Sequence, residues 1–327
     1  MWSRRRSLLA ASIAVALALL AWAGVGSTFG AFRDTTTNSG NSFSAAADWV
    51  GCSASGTVIA KTTGYAPGYL MQGGTYYVYA NISDSGNPPS GIASATTDVS
   101  SVDSSGAAAV ALVSGAYSVG GVSYNHRSAS RTVKNPLAGG SYTFSIACTD
   151  NGGISGTQTG FSVTADNSAP SASDVQTANG GSIVGRPQLG DTVTFTYSEP
   201  IDPDSILSSW TGASTGVVVR INNVAGGDIL QVWNAANSAQ LPLGQINLGR
   251  TDYVNANRTY GASGTASAMV QSGAAITITL GTASGAGTTA SGNGTMIWIP
   301  SGTATDRAGN ACSLVLATES GAADKEF

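Results

Sequence analysis

Charged side chains are scarce: Asp, Glu, Lys and Arg make up 10% of the 327 residues, against roughly 25% in an average soluble protein. Ion pairs therefore cannot solvate most of the surface, and hydroxyl and amide groups take that role. A single histidine, His126, is the whole supply of imidazole. A Ser/His/Asp triad or a Cys/His pair would have to be built on it, and no Gly-x-Ser-x-Gly elbow accompanies it. His-Glu-x-x-His, Cys-x-x-Cys and Gly-x-x-x-x-Gly-Lys are also absent, so no zinc or nucleotide-phosphate motif is present. The sequence reads as non-enzymatic, with no catalytic, cofactor-binding or metal-binding residue assigned and no cofactor expected. His126 lies in Ser123-Tyr124-Asn125-His126-Arg127-Ser128, after the Gly120-Gly121 turn, and is expected to be a solvated or hydrogen-bonded surface group.

Basic charge is the scarcer sign. Three of the 14 basic residues, Arg4, Arg5 and Arg6, stand at the start, and all 18 acidic residues follow them. The remainder is acidic and repels phosphate backbones, which disfavours nucleic acid as a partner because such affinity rests on Lys and Arg. Long helical periodicity is missing too. What is present is a 42% hydrophobic share spread in short alternating runs, with 43 glycines. That pattern predicts a folded all-β protein with polar turns, not a disordered chain.

Residues 1–6 are basic and residues 7–25 form an uncharged Ala/Leu/Val run, the two parts of an export signal. The run approaches the length that spans a bilayer, so a retained membrane anchor is the alternative reading. It ends in Gly26-Ser27-Thr28-Phe29-Gly30-Ala31-Phe32-Arg33-Asp34, followed by Asn41-Ser42-Phe43-Ser44-Ala45-Ala46. This pattern resembles the SipW-type signal of camelysin-like and TasA-like surface proteins. The resemblance covers about the first 50 residues and implies cleavage in the region of Gly30, Ala31 and Phe32, with a secreted or extracellular cell-surface destination.

Past Trp49, strand faces are legible as alternations: Tyr76, Val78, Ala80 and Ile82; Tyr142, Phe144, Ile146 and Cys148; Val193, Phe195 and Tyr197; Val217, Val219 and Ile221; Ile276, Ile278 and Leu280. Two units match internally. Gln72-Gly73-Gly74-Thr75 opens a strand as Gln188-Leu189-Gly190-Asp191-Thr192 does, and Thr149-Asp150-Asn151-Gly152-Gly153 answers Thr305-Asp306-Arg307-Ala308-Gly309-Asn310. Between them, Val163-Thr164-Ala165-Asp166-Asn167-Ser168-Ala169-Pro170 is a boundary, since Asp166-Asn167 favours a turn and Pro170 blocks strand continuation. Asp202 as cap and Pro203 as first residue predict a short helix there.

The paired turns and the junction resemble those of bacterial immunoglobulin-like domains. The resemblance implies two tandem immunoglobulin-like β-sandwich domains after an N-terminal signal or hydrophobic helix. The corresponding division is residues 1–31 as signal peptide or membrane anchor, 32–50 as an extended segment, 51–166 as the first domain, and 167–327 as the second with a flexible tail. Of three cysteines, immunoglobulin topology places Cys52 and Cys148 at one end of the first sandwich on opposite sheets, and makes them the disulfide candidate. Three free thiols, or a pair that includes Cys312, are the alternatives.

Oxygen ligands gather near the boundary at Asp150, Asn151, Asp166, Asn167 and Asp174, and again at Glu199, Asp202 and Asp204. Their spacing matches no calcium loop, so turns and a helix start are their expected roles, with a junction calcium the alternative. The function expected is a secreted or surface-displayed structural or adhesive protein whose partners are extracellular polymers, cell surfaces or copies of itself. The membrane is contacted only through an uncleaved leader. A filament subunit that donates residues 31–49 as a strand is the second expectation.

Overall fold

The computed structural model describes residues 50–86 and 88–327. The leader, the cleavage region at Gly30, Ala31 and Phe32, the extended segment before Val50 and the expected N-terminal helix lie outside the described residues. Among the described residues no helix is long and apolar enough to cross a membrane.

The first half is built of β1 (Cys52–Lys61), β2 (Tyr69–Leu70), β3 (Thr75–Asp84), β4 (Ile92–Asp98), β5 (Val110–Val119), β6 (Val122–Ser128), β7 (Arg131–Thr132), β8 (Gly140–Asp150) and β9 (Ser155–Ala165). Hydrogen bonding runs in the order β1-β3-β6-β5-β4-β8-β9-β2, with β7 beside β3. All pairings are antiparallel except β2 with β9. The alternation predicted for β3 holds: Tyr76, Val78, Ala80 and Ile82 are buried, and they pack with Ile59, Leu70, Phe144, Ile146 and Val163 in one core. Cys52 and Cys148 belong to the same core and are joined in a disulfide, their Cα atoms 6.0 Å apart. Cys312 is a free, buried thiol. Beneath the core, Asp103 is fully buried yet satisfied. It accepts hydrogen bonds from Tyr76 Oη at 2.8 Å, from Arg131 Nε and Nη2 at 2.8 Å each, and from the amide and hydroxyl of Ser105.

The second half contains β10 (Ala172–Ala178), β11 (Thr192–Tyr197), α1 (Pro203–Ile206), β12 (Thr215–Asn222), β13 (Ile229–Asn234), β14 (Gln240–Asn247), β15 (Arg258–Tyr260), β16 (Ser267–Ser272), β17 (Ala275–Thr279), β18 (Ile297–Ile299) and β19 (Ala317–Thr318). Its path is β10-β11-β17-β16-β12-β13-β14-β18-β19, with β15 on β12. The sheet curls until β10 lies against β18 and β19. A second, larger core fills it, with Trp298 packed edge-on against Phe195 and Tyr197 at 5.2 and 4.8 Å. The Trp298 indole N–H is not lost inside, since it donates to the Leu243 carbonyl at 2.7 Å. The last member of the first core is Ala165, and Ala172 packs on the second. Both halves are sandwich-like and all-β but for α1, and the described residues form one compact unit.

The matched turns share a geometry. The Asp150 amide donates to the Ile154 carbonyl, Gly153 N to the Asp150 carbonyl, and Ile154 N to Asp150 Oδ1 at 2.8 Å. In the second half, Asp306 N donates to the Asn310 carbonyl, Gly309 N to the Asp306 carbonyl, and Asn310 N to Asp306 Oδ1, again at 2.8 Å. Gly153 at φ 84° and Gly309 at φ 106° occupy the left-handed position that an L side chain resists.

His126 departs from its expected exposure. β6 lies between β3 and β5, His126 pairs across from Ala80, and the ring is buried, with Nδ1 2.8 Å from Asn125 Oδ1. Burial pushes its pKa below the usual histidine value.

Candidate functional site

The richest concentration of polar chemistry lies where the two halves meet. Lys61 ends β1 two residues past Ile59, so alternation sets it on the face that carries that core residue, at the half-buried end of the strand. Asp202 precedes α1, and its Oδ1 accepts from Asp204 N, so the expected cap is formed with Pro203 in the first turn. The same Oδ1 accepts from Tyr65 N of the first half at 3.1 Å. Asp202 Oδ2 lies 2.6 Å from Lys61 Nζ, with side chains 1% and 12% exposed, and it has no hydrogen-bond partner beyond that ion contact. Lys61 Nζ also donates to the Asp306 carbonyl at 3.1 Å. One ammonium thus holds two separate elements of the second half. Gly64, at φ 100°, is required here: a Cβ would collide with Asp202 Oδ2 and Lys61 Cε.

Around this pair the second matched turn docks on the first half. Asn310 Nδ2 donates to the Asp166 carbonyl at 2.9 Å, and the Arg307 guanidinium lies 5.7 Å from the centre of the Tyr69 ring. Arg307, Tyr65, Pro67, Tyr69, Thr211 and Gln271 line an open cleft of about 320 Å³. Gln271 Nε2 is committed to the Ile201 and Gly273 carbonyls, while its Oε1 is left without a donor. The cleft presents two aromatic rings, a cation and a hydroxyl. That set can stack on and hydrogen-bond a hydroxyl-rich ligand, and it contains no nucleophile with an adjacent base.

The acidic residues singled out by sequence distribute differently from their order in the chain. Asp150 serves its turn, Asn151 Nδ2 donates to the Ser90 carbonyl, Asn167 bridges Gln72 N and the Leu137 carbonyl, and Asp174 accepts from Ser320. Asp204 accepts from Ser209 N. Asp166 and Glu199, from the two groups, enter one acidic cluster with Asp306, with carboxylate oxygens within 4.8 Å of one another. Asp306 spends both oxygens on Gly309 and Asn310. Burial, then the charges of Asp166 and Asp306, push the Glu199 carboxyl up to about 7, so a proton held between Glu199 and Asp166 relieves the repulsion.

The Lys61–Asp202 pair and the cleft were not predicted. Both partners lie in segments with visible local roles, a strand end and a helix start, and a single sequence carries no signal of their meeting. No family model matches the chain, and neither curated proteins nor solved structures show a significant match to it.

Proposed function

We propose that this chain is an exported, non-catalytic surface module made of two immunoglobulin-like domains, which holds extracellular polymer in the cleft at their junction. The observation that carries the reading is the buried Lys61–Asp202 pair, which fixes the cleft walls contributed by the two halves. Binding sites gain from such fixed walls, because less freedom is lost when a ligand arrives. The facing strand sets β1-β3-β6-β5 and β4-β8-β9-β2, with β2 parallel to β9, support the immunoglobulin-like assignment of the first half. The disulfide is compatible with an oxidising, extracellular location. Neutral polysaccharide is the ligand class that suits Tyr65, Tyr69, Arg307 and Thr211. The test is co-sedimentation of the full chain with insoluble polysaccharides. Tyr65→Ala and Arg307→Ala are expected to lose retention while remaining folded, and equal retention of the variants would sink the proposal.

A second reading has its own observation. Leu314, Val315 and Leu316 are exposed at 68%, 69% and 55%, just before β19 at the end of the sheet path. Such an apolar run beside a sheet edge suits a strand supplied by another copy. Under this reading, deletion of residues 31–49 abolishes fibre formation and leaves a folded monomer. Polysaccharide retention that survives the deletion keeps the first reading.

A further inference from the structure

A second acidic group lies far from the junction, where the last residues of the sequence close over the second core. Glu319 follows β19, and Glu319 N donates to the Met296 carbonyl at 3.1 Å while Met296 N donates to Glu319 Oε2 at 2.7 Å. Asp324 bridges Gly294 and is exposed. Glu326 is 1% exposed, its Oε2 accepts from Thr177 Oγ1 at 2.6 Å, and its amide donates to Tyr253 Oη at 2.9 Å. Phe327 packs edge-on against Tyr253 with ring centres 5.8 Å apart and anchors the segment. One carboxylate oxygen from each of Glu319, Asp324 and Glu326 lies within 4.8 Å of the others.

Two observations separate this group from the one at the junction. Glu326 Oε1 is buried without a hydrogen-bond donor among the described residues, whereas both oxygens of Asp306 are engaged. No basic side chain answers the charge either: the ion pairs among the described residues join Lys61, Arg131 and Arg250 to other acids. A buried, unpaired carboxylate is costly unless it is protonated, paired or bound to a metal. The oxygens are hard donors, no sulfur or imidazole accompanies them, and the exposed Asp324 leaves a side open to water.

We propose that Glu319, Asp324 and Glu326 bind a calcium ion, which ties the segment after β19 to the strand Met296 precedes. Three carboxylates supply the protein ligands, and water fills the remaining positions of a six- to eight-fold shell. The site stands independently of the polymer-binding proposal.

The test is thermal unfolding of the full chain after EDTA treatment and desalting, with and without millimolar calcium chloride, alongside calorimetric titration. Calcium is expected to raise Tm by about 3–5 °C. Glu326→Gln is expected to abolish that shift and to raise the Tm of the metal-free protein, since it removes the uncompensated charge. Asp324→Asn, an exposed change that leaves the fold alone, is expected to weaken calcium binding at least about tenfold. Glu199→Gln at the junction is expected to keep the full shift. A wild-type Tm that ignores calcium, or one that responds only to pH as a carboxyl pair sharing a proton would, overturns the proposal. So does a calcium shift that survives Glu326→Gln or disappears with Glu199→Gln.

Discussion

Substitution of Lys61 by methionine isolates the contact that joins the two halves. Methionine keeps the length and apolar stem of the side chain and removes the ammonium, so packing changes little. Asp202 then keeps its Oδ1 hydrogen bonds from Asp204 and Tyr65 but loses the sole partner of Oδ2. Breaking a buried pair from one side costs about 3–5 kcal/mol. Lys61 is 12% exposed, so water reaches the vacated position in part, and about 2–4 kcal/mol is the expected cost, or a Tm lower by about 4–10 °C. Asp202→Asn keeps the Oδ1 acceptor and helix cap, and completes a double-mutant cycle. The double variant is expected to be more stable than the sum of the single losses predicts. Urea unfolding offers a partial separation: among the described residues Trp210, Trp233 and Trp298 all lie in the second half, whereas eight of the eleven tyrosines lie in the first. Coincident tryptophan and tyrosine transitions in the parent should split in Lys61→Met. A cost below about 0.5 kcal/mol, the ordinary range for a surface change, with transitions still coincident, would refute the structural weight given to this pair.

Reduction, or Cys52→Ser with Cys148→Ser, is expected to lower stability by about 4–5 kcal/mol, because the bond closes a sequence separation of 96 residues; equal melting with and without reductant would contradict this. Arg131→Met strands the buried Asp103 carboxylate and is expected to cost about 3–5 kcal/mol, read by urea unfolding of the first half. Asp103 is held well below the usual carboxylate range by Arg131, Ser105 and Tyr76 against the opposing effect of burial. Its contribution is therefore present above the unfolded pKa, about 3.9, and vanishes as pH falls through the folded value. Glu199 has the opposite sign: its folded pKa of about 7 exceeds the unfolded value, so its contribution is full below about 4.3 and is lost as pH rises through 7. Tm should fall less between pH 5 and pH 8 in Glu199→Gln than in the parent, and identical pH profiles would dispose of that account.

The parts of the fold that were legible in sequence are those where one local rule decides the outcome. Tyr76, Val78, Ala80 and Ile82 alternate because β3 has one face on the core, and Val193, Phe195 and Tyr197 do so on β11 for the same reason. The turns at Asp150 and Asp306 and the cap at Asp202 announce themselves because each side chain satisfies backbone groups a few residues away. The stretch between β17 and β18 carried no period, since its backbone bonds are made singly to distant partners, such as Ser284 N to the Thr259 carbonyl and Thr288 N to the Tyr253 carbonyl. The candidate sites were least legible. Asp166, Glu199 and Asp306 come from three segments, and neighbours in sequence such as Asn167 and Asp174 are drawn off by partners of their own. His126 looked like an edge residue because its neighbours are polar, yet strand order, which no single sequence states, puts it mid-sheet.

The Cys52–Cys148 bond also sets the route by which tension crosses the first half. A pull applied ahead of Cys52 passes through the sulfur atoms directly into the end of β8, then along β9 to Asp166 and the junction. Strands β1 to β7, and β8 as far as Cys148, lie inside the closed loop and bear no covalent load, so unravelling under force releases only the stretch from Cys148 to Asp166. The first half behaves as a nearly inextensible link with a short leash, and reduction would convert it into a long one.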